Sequence, residues 1–274
     1  MSARVPVRGG SHLRRGPTIR RASAQISWVR MLAIAALLAV TVAGWRVVDA
    51  DAFPVKRVDV DGAVLTDRAA VEAALLAGAG SVFRYDSAAA AARIAALPTV
   101  LRASVRVGVP DLVAASLDER APVLLWSRGD EGGGFLVDAD GLVFAQVSTA
   151  AALPRVTDQR SAAAALAIGD ELAAVDLHVA RALVSVTPAM LGTSAAALAV
   201  VITDSDGFEL TTQPATWTAV FGPYGEVTRS PDIVPVQVQC LASLLAAGPE
   251  DRIGRVVLSP DGQACGTYAP PKKP

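Results

Sequence analysis

The chain begins its hydrophobic patterning with a stretch that does not alternate at all. From Met31 to Trp45 the sequence MLAIAALLAVTVAGW carries no formal charge, and Ile26, Trp28, Val47 and Val48 extend it past Arg30 and Arg46. At about 1.5 Å of rise per residue, the uncharged run alone is shorter than a bilayer core of roughly 30 Å. The stretch 26–48 reaches the usual length of about 20 residues, provided both arginines send their heads to the interfaces while their stems stay in the apolar zone. Trp28 and Trp45 fall where such a helix crosses into headgroups. One transmembrane helix over 26–48 is expected, with Trp28, Arg30, Trp45 and Arg46 as its interface residues.

After the helix the rhythm changes. Val55–Val60 is a short strand ending in an Asp61-Gly62 turn. Thr66 suits the N-cap of a helix from Asp67 to about Ala77, with Val71, Ala74 and Leu75 on one face and Gly78 as its stop. Asp86 caps a second helix carrying Ala90, Ile94 and Leu97, which Pro98 ends. From Ala103 the period is two: Ala103, Val105 and Val107 oppose Arg102, Ser104 and Arg106. Pro110-Asp111 turns the chain, and Val113, Ala115 and Leu117 continue the alternation in a hairpin partner. The order β-α-α-β-β predicts a small sheet with two helices on its single apolar face, over 53–121.

Residues 122–268 read as a second, mostly antiparallel β domain with two helices, giving an α+β chain, and 269–274 as a short tail. Val123–Trp126, Phe135–Val137 and Leu142–Gln146 form a meander through a Gly-rich loop and an Asp140-Gly141 turn. A helix over Asp170–Val186 places Val175, Val179, Leu183 and Val186 on its buried face. Strands follow at Leu198–Thr203, Phe208–Thr212 and Trp217–Phe221. A helix over Asp232–Ala247, with Val238, Leu241 and Leu245 inward, leads to a strand around Arg255–Leu258.

Charge decides how the first helix points. Residues 1–30 carry seven arginines and no acid, so the N-terminus is expected in the cytoplasm. Beyond Val48, 17 bases face 26 acids, a formal charge of −9, so residues 49–274 are expected outside the membrane. A cleavable signal competes, because Val48-Asp49-Ala50 suits a signal peptidase, but the long basic flank and the long apolar run argue for an anchor. Neither arginine pair, 14–15 or 20–21, is followed closely by the apolar residues of a twin-arginine signal. Residues 1–25 read as a disordered basic tail attracted to anionic lipid; without aromatic interleaving or a folded basic face, no nucleic-acid role follows.

The residues FPVKRVDVDGAVLTDRAAVEAAL, then LPTVLRASVRVGVPDLVAASLDERAPVLLW, then FLVDADGLVF resemble the POTRA domain, and its junction into the next domain, of the FtsQ/DivIB family of bacterial cell-division proteins. The most specific piece is Glu119-Arg120-x-Pro122 followed by Asp138-x-Asp140-Gly141. The basic tail, single membrane pass and outer β-rich domain match as well. The resemblance implies a non-enzymatic bitopic scaffold at the division septum, whose terminal strand region docks the coiled-coil division proteins FtsB and FtsL. The matching positions here are Val256, Val257, Leu258 and Tyr268. A POTRA-bearing transport component is the alternative, but it would need a barrel, and no series of membrane strands of about ten residues is apparent.

The search for chemistry finds no catalytic set. His12 lies in the tail and His178 on a helix flank, without a nucleophile motif. Asp138-Ala-Asp-Gly141 and Asp204-Ser-Asp-Gly207 lack the later ligands of a calcium loop and read as Asp-Gly turns, for which type I′ is favoured. There is no Walker loop, dinucleotide fingerprint or Cys/His cluster, so no cofactor, metal or small-molecule substrate is expected. Arg128-Gly-Asp130 reads as a hairpin tip. Cys240, in the last helix, and Cys265, after the last strand, face an oxidising compartment and are expected to form a disulfide; a buried helix thiol and a free tail thiol are the alternative. Two readings of the terminal edge stay open: a free strand at Val256–Leu258, or Gln263–Tyr268 folded back over it as a hairpin.

Overall fold

The computed structural model of the protein describes residues 28–49, 53–129, 133–148, 152–225, 228–248, 250–261 and 264–270. The basic tail 1–25 lies outside them, as does Asp130. Helix α1 (Trp28–Asp49) is a unit of its own, exposed along its described side chains, and over Trp28–Arg46 it is long and apolar enough to cross a membrane. Such all-round apolarity is what lipid selects, because no face needs water. Its one interior hydroxyl, Thr41 Oγ1, donates back to Leu37 O at 2.7 Å, which spares it a search for a partner in hydrocarbon.

Residues from Phe53 onward form the second unit. It opens with β1 (Arg57–Asp61), α2 (Arg68–Leu76), α3 (Ser87–Ala95), β2 (Val100–Gly108) and β3 (Leu112–Glu119). The sheet order is β1-β3-β2, with β1 parallel to β3 and β2 antiparallel to it. Val71 and Leu75 of α2, with Ala90 and Ile94 of α3, pack on Val60, Val113, Ala115 and Leu117, the alternating apolar set of the sheet. Asp86 caps α3 as expected, accepting from Ala89 N. Thr66, however, is not the cap of α2. Asp67 accepts from Ala69 N, while the buried Thr66 hydroxyl pairs with Thr99 Oγ1 at 2.8 Å. Two adjacent residues could cap, and the tertiary contact took one of them.

The remaining strands are β4 (Leu124–Ser127), β5 (Gly134–Val137), β6 (Val143–Val147), β7 (Arg155–Asp158), β8 (Ala197–Thr203), β9 (Gly207–Gln213), β10 (Thr218–Gly222), β11 (Arg255–Leu258) and β12 (Gly266–Ala269). They form one nine-stranded sheet in the order β12-β11-β10-β9-β8-β7-β4-β5-β6. The expected meander breaks where β7 inserts between β4 and β8, parallel to both; β11 is also parallel to β10. Helices α4 (Ala174–Val184), α5 (Pro188–Leu191) and α6 (Val234–Ala246) complete the domain. Leu177, Val179, Ala180 and Leu183 of α4 and Leu241 and Leu245 of α6 share a core with Trp126, Phe221 and Val256. A partly buried ion cluster adjoins this core: Arg160 bridges the buried Asp158 of β7 (2.7 Å) and Asp176 of α4 (2.8 Å).

Helix α4 starts later than the spacing predicts, because Asp170 serves elsewhere. Its carboxylate accepts from Ala167 N and its carbonyl from Val143 N. The type I′ turns are also replaced. That turn needs two consecutive residues at positive φ, and among the described residues only glycines have positive φ. Gly141 (φ 94°) and Gly207 (φ 70°) each supply a single left-handed position. In the first turn the Asp138 carboxylate accepts from both Asp140 N and Leu142 N.

Candidate partner-binding edge

The chain ends its sheet with β12, which folds back antiparallel on β11 in the register Val256↔Tyr268, Val257↔Thr267 and Leu258↔Gly266. Both ladders of β11 are therefore occupied, by β10 on one side and β12 on the other. This corrects the expectation that Val256, Val257 and Leu258 form a free edge. Val256 and Leu258 are buried in the core, and only Val257, 42% exposed, reaches the surface, on the opposite face. The hairpin reading holds, because a buried apolar strand left unpaired would strand its N–H and C=O groups.

Among the described residues no strand pairs with the outer side of β12. Ser259 N donates to Cys265 O, so in this register the inward-bonded pairs fall at 257–267 and 255–269. Antiparallel alternation then turns the N–H and C=O of Gly266 and Tyr268 outward. Tyr268 shares the face of Val256 but lies at the sheet margin and stays 64% exposed. Backbone groups that can extend the ladder thus sit beside an aromatic side chain that can anchor a visitor.

Helix α6 fixes this edge through two side chains one turn apart. The buried Gln237 donates from Nε2 to Phe221 O at the end of β10 (3.3 Å) and to Ser259 O just after β11 (3.0 Å), and accepts from Tyr224 OH. Three residues on, Cys240 is bonded to Cys265, immediately before β12 (Cα–Cα 4.9 Å). Sequence reasoning missed Gln237. Its signal was a lone polar residue between Val234 and Leu241 on the helix's apolar spacing. Burial pushes the Tyr224 hydroxyl well above its usual range, with Arg229 opposing.

Glu250 secures the other end of β10 and β11. Its carboxylate accepts from Trp217 Nε1 (2.7 Å), Ser194 N (3.1 Å), Ser194 Oγ (3.0 Å) and Thr193 Oγ1. Partial burial favours the neutral acid, but these donors outweigh it and hold the pKa down to about 2. On the open face, Arg255 of β11 pairs with Asp206 at 2.6 Å. Burial first, and the Asp206 charge second, raises the Glu209 carboxyl above its ordinary value.

The junction between the small sheet and the large one uses the residues singled out above. Glu119 receives the N–H groups of Val64, Leu65 and Thr66 at 2.6–3.0 Å. Its partial burial is outweighed by those donors, so its pKa is lowered. Arg120 donates to Pro98 O and, at 2.7 Å, to Asp138, whose other oxygen organises the Gly141 turn. One dipeptide therefore ties the first sheet to the first hairpin of the second. Along α1, Trp28 and Trp45 are separated by about 25 Å of helix, with Arg30 and Arg46 beside them. His178 is exposed on α4, away from any constellation.

Comparison with known families reaches the first of the two sheets. Residues 53–120 match the family model of the POTRA domain, FtsQ-type. The chain carries an FtsQ-type POTRA domain. The match supports its place in the FtsQ/DivIB family of cell-division proteins, and the α+β fold behind a single apolar N-terminal helix agrees with it. Comparison with the curated proteins gives no match.

Proposed function

We propose that this FtsQ-type protein is a bitopic divisome scaffold, with its N-terminus in the cytoplasm and its sheets outside. It links division proteins across the membrane by non-enzymatic contacts. Six arginines ahead of α1, a seventh at Arg30 in its first turn and none of the chain's acids there favour that orientation. The POTRA domain would span 53–121 and the partner-binding β domain 122–268, while the basic tail meets anionic lipid. FtsB-like and FtsL-like coiled-coil proteins are the partners the resemblance implies.

The observation that carries this reading is that, among the described residues, no strand pairs with the outer side of β12 at the end of a nine-stranded sheet. An extended segment can continue the ladder there, with main-chain bonds supplying affinity and alternate side chains supplying register. Tyr268→Pro removes an outward N–H at an edge where proline is tolerated, so the fold should survive. Recruitment of the coiled-coil partner to midcell should then fail while a fluorescent fusion of the variant itself still reaches the septum. Normal recruitment by a stably folded Tyr268→Pro protein would move the docking site off β12.

A further inference from the structure

We infer that the POTRA domain rests on the lipid bilayer through an aromatic foot built from Phe53 and Phe83. The two rings meet edge to face at 5.4 Å and 87°. The backbone holds them there: Val82 N donates to Phe53 O (2.9 Å), Val55 N to Gly80 O (3.2 Å), and Pro54 bridges Ser81. Phe83 is nevertheless 45% exposed, and Leu76, at the end of α2, 47%. Phe83, held in place against the half-buried Phe53 and nearly half in water, signals a surface that something covers.

The occupant follows from chain length and composition. Only residues 50–52 separate the last residue of α1, Asp49, from Phe53, and that step spans at most about 14 Å when fully extended. The headgroup layer alone is about 5–7 Å thick on each side of the hydrocarbon core. From Ala73 to Phe83 the chain is uncharged, and exposed Arg84 and Lys56 flank the aromatic pair in sequence. Apolar rings framed by cations suit the boundary between acyl chains and anionic headgroups. The foot would limit the tilt of the domain over the membrane. The inference rests on α1 spanning the bilayer and is independent of what binds β12.

The test uses the full chain in nanodiscs of phosphatidylcholine with one quarter phosphatidylglycerol. Cys240 and Cys265 are bonded to each other, so Ala77→Cys offers a single thiol for an environment-sensitive fluorophore while both phenylalanines remain. Ser104→Cys, on the polar face of the POTRA sheet, is the aqueous reference. Insertion into the disc checks α1 separately. The fluorophore at 77 should emit to the blue of that at 104 and lose more than about half its emission to a lipid-borne quencher, as an interfacial site does. Adding Phe53→Ser and Phe83→Ser should return it to the reference. Inserted protein whose residue-77 signal matches residue 104 with both phenylalanines present would overturn the foot. So would quenching that survives their removal, or burial of the fluorophore only after a partner protein is added.

Discussion

The two ends of the nine-stranded sheet face the same problem and solve it differently. At β6 the chain covers the first residue of the edge strand and the turn before it: Val143 N donates to Asp170 O, Gly169 N to Val143 O and Leu172 N to Gly141 O. At β12 no described segment does so; the Cys240–Cys265 bond ties the chain just before the strand to α6, and Gln237 holds the neighbouring β10 and β11. An unpaired edge invites non-specific pairing, and the bonds at Val143 shorten the stretch of β6 open to it. The other edge strand is short, four residues, with the disulfide just ahead of it. The comparison bears on the proposal that β12 receives a ligand strand.

The largest way to break that contrast is to remove the clamp. Replacing both cysteines by serine opens a loop of sequence separation 25 and should lower unfolding stability by about 3 kcal/mol in denaturant titration. Partner affinity should fall with it, because β12 loses its preorganisation. An unchanged midpoint would mean that the bond holds nothing the fold does not already hold.

Next comes an exchange of roles between the two edges. Val143→Pro deletes the donor to Asp170 and should cost about 1–3 kcal/mol of stability with partner binding intact. Tyr268→Pro should leave stability within about 0.5 kcal/mol and weaken partner binding at least tenfold, the equivalent of about 1.4 kcal/mol. Hydrogen exchange can read the same difference without mutation. The Val143 amide should be protected in the free protein, and that of Tyr268 only with partner bound.

The smallest effect is set by pH. The Glu250 carboxyl is depressed from 4.5 to about 2 by its donors, so its contribution is present above the unfolded value and disappears as pH falls from 4.5 through 2. Glu250→Gln should flatten that part of the stability profile and leave its slope near neutrality unchanged. An identical acid limb in both proteins would assign the loss to other carboxylates.

Much of this architecture was legible in local pattern. The uncharged run around Met31–Trp45, the β-α-α-β-β rhythm and the Asp86 cap each depend on neighbours in sequence, and each appears where the spacing puts it. β7 was invisible because Arg155–Asp158 is a four-residue strand without alternation, made a strand by β4 and β8 on either side. β12 stood only as one of two options, and its pairing decides that Val256 and Leu258 are core while Tyr268 marks the edge. Thr66 and Asp67 could each cap a helix, and Thr99 settled which one did. By itself the sequence determined the membrane helix, the POTRA pattern and the residues able to build an edge, since periodicity and caps are properties of adjacent residues. Only the tertiary structure decided which strands form the edges, how far each is covered and what braces it, because hydrogen-bond ladders are completed by strands distant in sequence.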